Sequence, residues 1–266
     1  MTTQTSLGIA LVTGASSGIG AIYADRLARR GYDLILVARN QSRLSALADR
    51  IVSDTGRVVR TLAADLGKRA DLLAVENLLR TDARITLLVN NAGVGAASKL
   101  LDSDVDAMEA MIALNVTALT RLAYAAAPAF AARGAGTIVN ISSIVAVAPE
   151  LLNGVYGASK AYVLSLTQSL QHELAAKGLR FQAVLPGAIA TEFWDIAGLP
   201  IDNLPQAWVM SAADLVDAAL AGLDAGELVT LPSLPDAADW HKLEAARLAL
   251  GPNLSKVKPA ARYGAF

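Results

Sequence analysis

Apolar positions along the chain follow two alternating patterns. Short apolar-rich runs fall at residues 9–12, 33–38, 58–63, 85–90, 137–142, 181–186 and 227–232. Several lack the polar alternation of a sheet with one wet face, so they predict strands covered on both faces. Between them, apolar residues recur at helical spacing: Ile19, Tyr23 and Leu27 at i, i+4 and i+8, and Leu44, Leu47 and Ile51 at i, i+3 and i+7. The first helix is predicted to end at Arg29, Arg30 and Gly31, a basic last turn followed by glycine. Ser211, with Asp214 three residues on, resembles a capping box that opens a later helix. Seven strands alternating with about six helices predict an α/β chain with right-handed crossovers and a doubly wound, mostly parallel sheet.

Two regions break the alternation. Residues 188–210 read as an insertion before the Ser211 helix, and residues 235–266 as one more helix-like segment followed by a Gly/Pro/Lys-rich end expected to be poorly ordered. No Ser/Gly linker or repeat separates domains, so all 266 residues are read as one domain.

Composition narrows the function classes. An apolar fraction of 54% supports a large core, and a net charge of −1 gives no field that would draw the chain to nucleic acid or a membrane. Cysteine is absent, which removes disulfides, thiolate nucleophiles and cysteine-bound metal. No Asp/Glu/His cluster has a metal-ligand spacing. The N-terminus has no basic segment followed by an apolar one, so no signal peptide is expected. Asn, Ser, Gly and Pro interrupt the apolar runs short of about 20 residues, so no membrane span is expected and a cytoplasmic protein is the default.

"LVTGASSGIGAIYADRL" follows the first strand and opens the first helix. Gly14, Gly18 and Gly20 allow a tight turn, and a helix N-terminus offers free N–H groups to an anion. Between a strand and a helix this reads as a dinucleotide turn, with Ser16, Ser17 and Ile19 beside the glycines. The second strand ends in Ala38 and Arg39, with no carboxylate to repel a phosphate. A guanidinium grips phosphate with a planar fork, so NADP(H) is favoured over NAD(H). The bland reading of Arg39 is a solvated loop cation, and Arg43 could share its task.

Tyr156 and Lys160 are four residues apart within a predicted helix at 154–176, hence on one face. A neighbouring ammonium lowers the pKa of a phenol and fits it to exchange a proton with a carbonyl or alcohol oxygen. Ser143, at the end of the fifth strand, could bond the same oxygen. Ser142 competes with it. Taken alone, YxxxK is a common helix-surface spacing.

The motifs "TGASSGIG", "NNAG" (Asn90 to Gly93), "ALNV" with Asn115, Ser143, "YGASK" and "LPG" with Pro186 and Gly187 occur in this order. Jointly they resemble the short-chain dehydrogenase/reductase family. The resemblance implies a single-domain Rossmann-type fold and hydride transfer between NAD(P) and a carbonyl or alcohol carbon. It implies Tyr156 as general acid/base and Lys160 as the group that tunes it and binds the nicotinamide ribose. Ser143 would position the substrate oxygen, and Asn115 would help to hold a proton-relaying water. A spacing of thirteen positions from serine to tyrosine favours Ser143 over Ser142. Asp65 with Leu66 would lie near the adenine, and Asn91, Ala92 and Gly93 would line the cofactor cleft. Pro186, Gly187 and Ile189 would lie beside the nicotinamide amide, and Thr191 would contact the pyrophosphate or the amide. Asn91 reads equally well as an asparagine that ties adjacent strands. The family's dimers or tetramers pair the long helices, here near 104–127 and 154–176, which implies a homo-oligomer.

In this family the segment after "PG" is a lid, so residues 188–210, with Phe193, Trp194, Ile196, Leu199, Ile201, Leu204, Trp208 and Met210, suggest a mainly apolar substrate. Packing of the lid itself, or an oligomer contact, would explain the same residues. His172 falls on the helix face opposite Tyr156, and His241 lies in the tail, so neither is assigned a catalytic role. The expected protein is an NADP(H)-dependent oxidoreductase acting on a small carbonyl or alcohol substrate. The alternative is a dinucleotide-binding sensor or scaffold without turnover.

Overall fold

The computed structural model describes residues 7–264, so most of the N-terminal segment expected to lack a signal peptide lies outside the described residues. The first half of the chain runs β1 (Ile9–Thr13), α1 (Gly18–Arg29), β2 (Asp33–Ala38), α2 (Gln41–Thr55), β3 (Val59–Ala63), α3 (Arg69–Thr81) and β4 (Ile85–Asn90). It continues through α4 (Val105–Ile112), a π-helical turn at Ala113–Ala118, α5 (Leu119–Arg133), β5 (Gly136–Ile141), α6 (Gly154–Leu174) and β6 (Leu179–Val184). Then follow β7 (Ala188–Ala190), α7 (Phe193–Ala197), β8 (Val209–Ser211), α8 (Ala212–Asp224), β9 (Val229–Thr230) and α9 (Ala237–Ala249).

Seven strands form one parallel sheet in the order β3-β2-β1-β4-β5-β6-β9. Burial of both faces explains why the run at 34–37 in β2 lacks polar alternation. Leu34 and Leu36 join the core on one face with Val12, Tyr23, Leu27 and Leu215, while Ile35 and Val37 join the core on the other with Leu11, Leu72, Val75 and Phe130. Successive side chains point to opposite faces, and both faces are covered. Strand order reverses between β1 and β4, which opens a crevice beyond their C-terminal ends.

The structure corrects several sequence expectations. The fifth strand ends at Ile141 and the sixth at Val184, so Ser142, Ser143 and Pro186 lie on the loops beyond the sheet edge. The insertion at 188–210 contains a small parallel pair, β7 with β8, in the register Ala188 to Val209, Ile189 to Met210 and Ala190 to Ser211. Ser211 caps α8 as expected: its hydroxyl accepts from Asp214 N at 3.0 Å and donates to the Asp214 carboxylate at 2.7 Å. Residues Val105–Arg133 form a helical stretch that is long and apolar enough, by length and composition, to cross a membrane, contrary to the expectation from broken runs. Half of its most apolar window is buried, and Leu119, Leu122, Ala126 and Phe130 face the sheet, as in a core helix.

The chain divides into two compact units, Met1–Pro232 and Ser233–Phe266. The second unit holds α9, whose N-terminus is capped by Asp236 accepting from Ala238 N at 2.8 Å.

Candidate active site

The crevice is assembled from loops at the C-terminal edge of the sheet. Thr13 knits the first two of them: its hydroxyl donates to Val89 O at 3.2 Å and accepts from Asn91 N at 3.0 Å and Ala92 N at 3.1 Å. The Asn91 amide returns the tie, donating to Thr13 O at 2.9 Å and Gly14 O at 3.2 Å. Asn91 is therefore the strand-tying asparagine, and its neighbours Ala92 and Gly93 are carried to the crevice by that tie. The glycine turn is packed to its limit, because a Cβ on Gly20 would lie 2.3 Å from Gly14 O. Gly18 has φ +53°, and Thr191 covers it from the segment after β7. Ser17, flanked by Ser16, is the N-cap of α1 but makes no side-chain capping bond, and the first turn carries no acid. The N–H groups of Gly18, Ile19 and Gly20 thus open a helix N-terminus suited to an anion.

Further along the edge, Arg39 is exposed and makes no hydrogen bond or ion pair with any described residue. Arg43 differs. It pairs with Glu192 at 2.7 Å, so Arg43 is less free than Arg39 to meet a phosphate. Asp65 caps its own turn, accepting from Gly67 N at 3.0 Å, and Leu66 is buried beside it.

Tyr156 and Lys160 lie one turn apart on α6, exposed by only 5% and 6%. Asn153, the N-cap of α6, accepts from Val155 N at 2.8 Å and Tyr156 N at 3.3 Å and sets the helix start. Of the two candidate serines, Ser143 lies beside the Tyr156 phenol, near enough for its hydroxyl to favour the phenolate. Ser142 turns away and donates to Lys160 O at 2.8 Å. The Lys160 ammonium donates to Ile141 O at 2.9 Å.

Asn115 sits in the π-helical turn and clamps the loop after β4. Its Oδ1 accepts from Val94 N at 3.0 Å, and its Nδ2 donates to Val94 O at 2.8 Å and Ser159 Oγ at 3.2 Å. Both amide hydrogens are therefore used within the protein. The place a Gly93 side chain would take is bordered by Asn115 Oδ1 at 3.0 Å and Lys160 Nζ at 3.5 Å. π-Turns inside α-helices concentrate at functional sites. Pro186 accepts from Ser143 Oγ at 3.4 Å, and with Gly187 it leads into β7, where Ile189 is buried and accepts from the Trp194 indole at 2.9 Å.

The YxxxK spacing predicts a phenol pulled down by the ammonium. Burial reverses this. Desolvation pushes the Tyr156 phenol up to about 12, offset in part by the nearby Ser143 hydroxyl, and pushes Lys160 down to about 8. Charge is disfavoured on both groups because neither meets an opposite charge.

The arrangement brings Ser143, Tyr156, Lys160 and Asn115 together and sets the glycine turn on the neighbouring loops. The short chain dehydrogenase family model matches residues 8–197. The chain belongs to that family. This short-chain dehydrogenase is 38% identical over 184 residues to an uncharacterized oxidoreductase of Staphylococcus saprophyticus, covering 69% of this chain and 79% of that one. Among solved structures it resembles a short-chain dehydrogenase from Sphingobium yanoikuyae in complex with NADPH, at 51% identity, 97% and 100% coverage and a TM-score of 0.94. It also resembles the bulky-bulky ketone specific alcohol dehydrogenase from Comamonas testosteroni, at 45% identity, 97% and 99% coverage and a TM-score of 0.89. Its fold class is that of the family, a Rossmann-type parallel sheet with helices around it.

Sequence reasoning overlooked three residues of this short-chain dehydrogenase site. Asn153 stands directly before a predicted helix, an N-cap signal that could have been read. Thr13 and Ser159 carry no signal of their own, because their partners depend on strand register and helix packing. His172 is exposed on α6 and His241 on α9, and among the described residues no group of three or more acidic or histidine side chains could hold a metal ion.

Proposed function

We propose that the chain is an NADP(H)-dependent oxidoreductase that interconverts a ketone or aldehyde with the matching alcohol, on mainly apolar substrates. The observation that carries this reading is the buried meeting of Ser143, Tyr156 and Lys160 at the sheet edge that also holds the glycine turn. The cofactor fits the residues present. The uncapped α1 N-terminus suits a pyrophosphate, the packed glycines leave no side chain in its way, and exposed Arg39, which has no partner among the described residues, suits a 2′-phosphate. The Sphingobium yanoikuyae neighbour holds NADPH, which supports the same choice. When bound, NADPH supplies the hydride.

The chain's own residues handle the oxygen and its proton. Ser143 Oγ bonds the substrate oxygen and Tyr156 Oη donates a proton to it. A phenol held at about 12 remains protonated at neutral pH, and a developing alkoxide is a far stronger base than phenolate, so the transfer runs downhill. In alcohol oxidation the alcohol gives its proton to Tyr156 as the phenolate, so that direction needs the deprotonated form and is favoured as pH rises. Lys160 Nζ and Asn115 Oδ1 face the space beside Gly93, where a water would link the lysine to solvent. A cytoplasmic homo-oligomer completes the reading.

Ketones flanked by bulky groups are the first substrates to try, since the Comamonas testosteroni neighbour is specific for that class. Tyr156→Phe keeps the ring and removes the proton. NADPH consumption over a panel of alkyl and aryl ketones is expected to fall by at least about 100-fold, with NADPH binding retained. Near-wild-type consumption by the variant would overturn the role of Tyr156. Cofactor binding by the wild-type chain with no consumption on the whole panel would leave a non-catalytic sensor.

A further inference from the structure

We propose that Phe193, seated on Gly95, is the size filter of the carbonyl site. The inference rests on the carbonyl-reductase reading above. Phe193 is the first residue of α7, and its ring lies 5.9 Å from the Tyr156 ring, tilted by 46°. Its other side meets Trp194 edge-on at 5.5 Å and 88°. Trp194 is a fixed post: it is buried and its indole N–H bonds Ile189 O at 2.9 Å.

Gly95 explains how the ring comes so close. A Cβ on Gly95 would lie 2.2 Å from Phe193 Cζ and 2.8 Å from Cε2, so the tip of the ring rests on bare backbone. The far end of α7 is tied to the same loop, with Ala97 N donating to Ala197 O at 3.0 Å. The lid helix is thus held to the loop after β4 at both ends. Phe193 joins an apolar cluster with Val94, Ala96, Val145, Leu152 and Tyr156. Within this cluster it is the one member contributed by the lid.

A carbonyl that takes a proton from Tyr156 must bring its oxygen within about 3 Å of the phenol. Its two substituents then spread along this cluster. A methyl substituent occupies little of the space beside Tyr156, whereas a second aryl group needs the volume the Phe193 ring fills. Loss of the ring frees that volume, and a Cβ at Gly95 displaces the ring from its seat.

The test measures kcat/KM for a methyl aryl ketone and a diaryl ketone with the wild-type chain, Phe193→Ala, Gly95→Ala and the double variant, using NADPH. The ratio of diaryl to methyl ketone is read, because loss of active protein cancels from it. Phe193→Ala is expected to raise that ratio at least about tenfold, the scale on which hydrophobic pockets discriminate. Gly95→Ala is expected to shift the ratio in the wild-type background and to leave it unchanged in the Phe193→Ala background, since its effect passes through the ring. A ratio within twofold of wild type in Phe193→Ala overturns the filter. An equal Gly95→Ala effect in both backgrounds, or none in the wild-type background, overturns the seat. If the wild-type chain turns over neither ketone nor any other carbonyl while binding NADPH, the functional reading itself fails and the inference falls with it.

Discussion

Tyr156 and Lys160 are almost fully buried, with Ser143 beside one and Ile141 O bonded to the other, whereas Arg39, on the same sheet edge beyond β2, is exposed and has no partner among the described residues. The difference follows from what each environment costs. A buried polar group must be answered by the protein, so the chemical end is a closed network whose members hold one another in place. An exposed guanidinium is already solvated and can wait for an anion. The chemical end should therefore respond to substitution with large, coupled losses, and the outer end with changes of preference.

Lys160→Met tests the closed network most severely. We expect turnover to fall by at least about 100-fold while stability rises. The sign follows from burial. The folded pKa of Lys160 lies near 8, below its ordinary 10.5, so the folded chain binds fewer protons than the unfolded one between those values. The penalty for the buried ammonium is complete below pH 8 and fades as pH rises through that window. The variant should be roughly 2–3 kcal/mol more stable than wild type at pH 6.5 and no more stable near pH 10.5, read from urea unfolding at both pH values. A gap that does not change with pH would show that Lys160 is charged equally easily in both states.

Arg39→Ala probes the open end. NADPH binding should weaken by about 10–100-fold, the worth of a charge-assisted bond, and NADH binding should move less than twofold. Fluorescence titration of both cofactors decides it, and an equal loss for both would move 2′-phosphate recognition elsewhere. Glu192→Gln gives the smallest effect. It releases Arg43 from an exposed pair, so NADPH should bind at most a few-fold tighter, and the gain should vanish as salt is raised. Weaker binding instead would mean that the Arg43–Glu192 pair helps to build the cofactor site.

The sheet was legible in the sequence because both faces of its central strands are covered, which leaves runs such as β1 and β2 with little polar alternation, although the edge strand β3 keeps Arg60 exposed. Strand ends were less so: β9 pairs over only Val229 and Thr230, and the runs at 137–142 and 181–186 overstate how far pairing goes. The short pair β7 and β8 left no signal, since three residues cannot establish a period. The site residues were legible as types at a spacing, and the structure brings Ser143, Tyr156 and Lys160 together. Their electrostatics were not, because the direction of each pKa shift depends on burial, and a YxxxK string looks the same on a helix surface as inside a core. The clamp that Asn115 places on Val94 was invisible for a related reason: it needs the π-turn, and a local change of helical period is hidden among alanines.

The β7–β8 pair has a consequence for how such a chain can diversify. Its three residue pairs zip together the two stems from which residues 191–208 emerge. The ends of that segment are fixed relative to the sheet whatever lies between them, and closing a longer loop costs only slightly more entropy. The segment is thus an exchangeable cassette. Changes in its length or its aromatic residues would leave β5, α6 and the glycine turn in place.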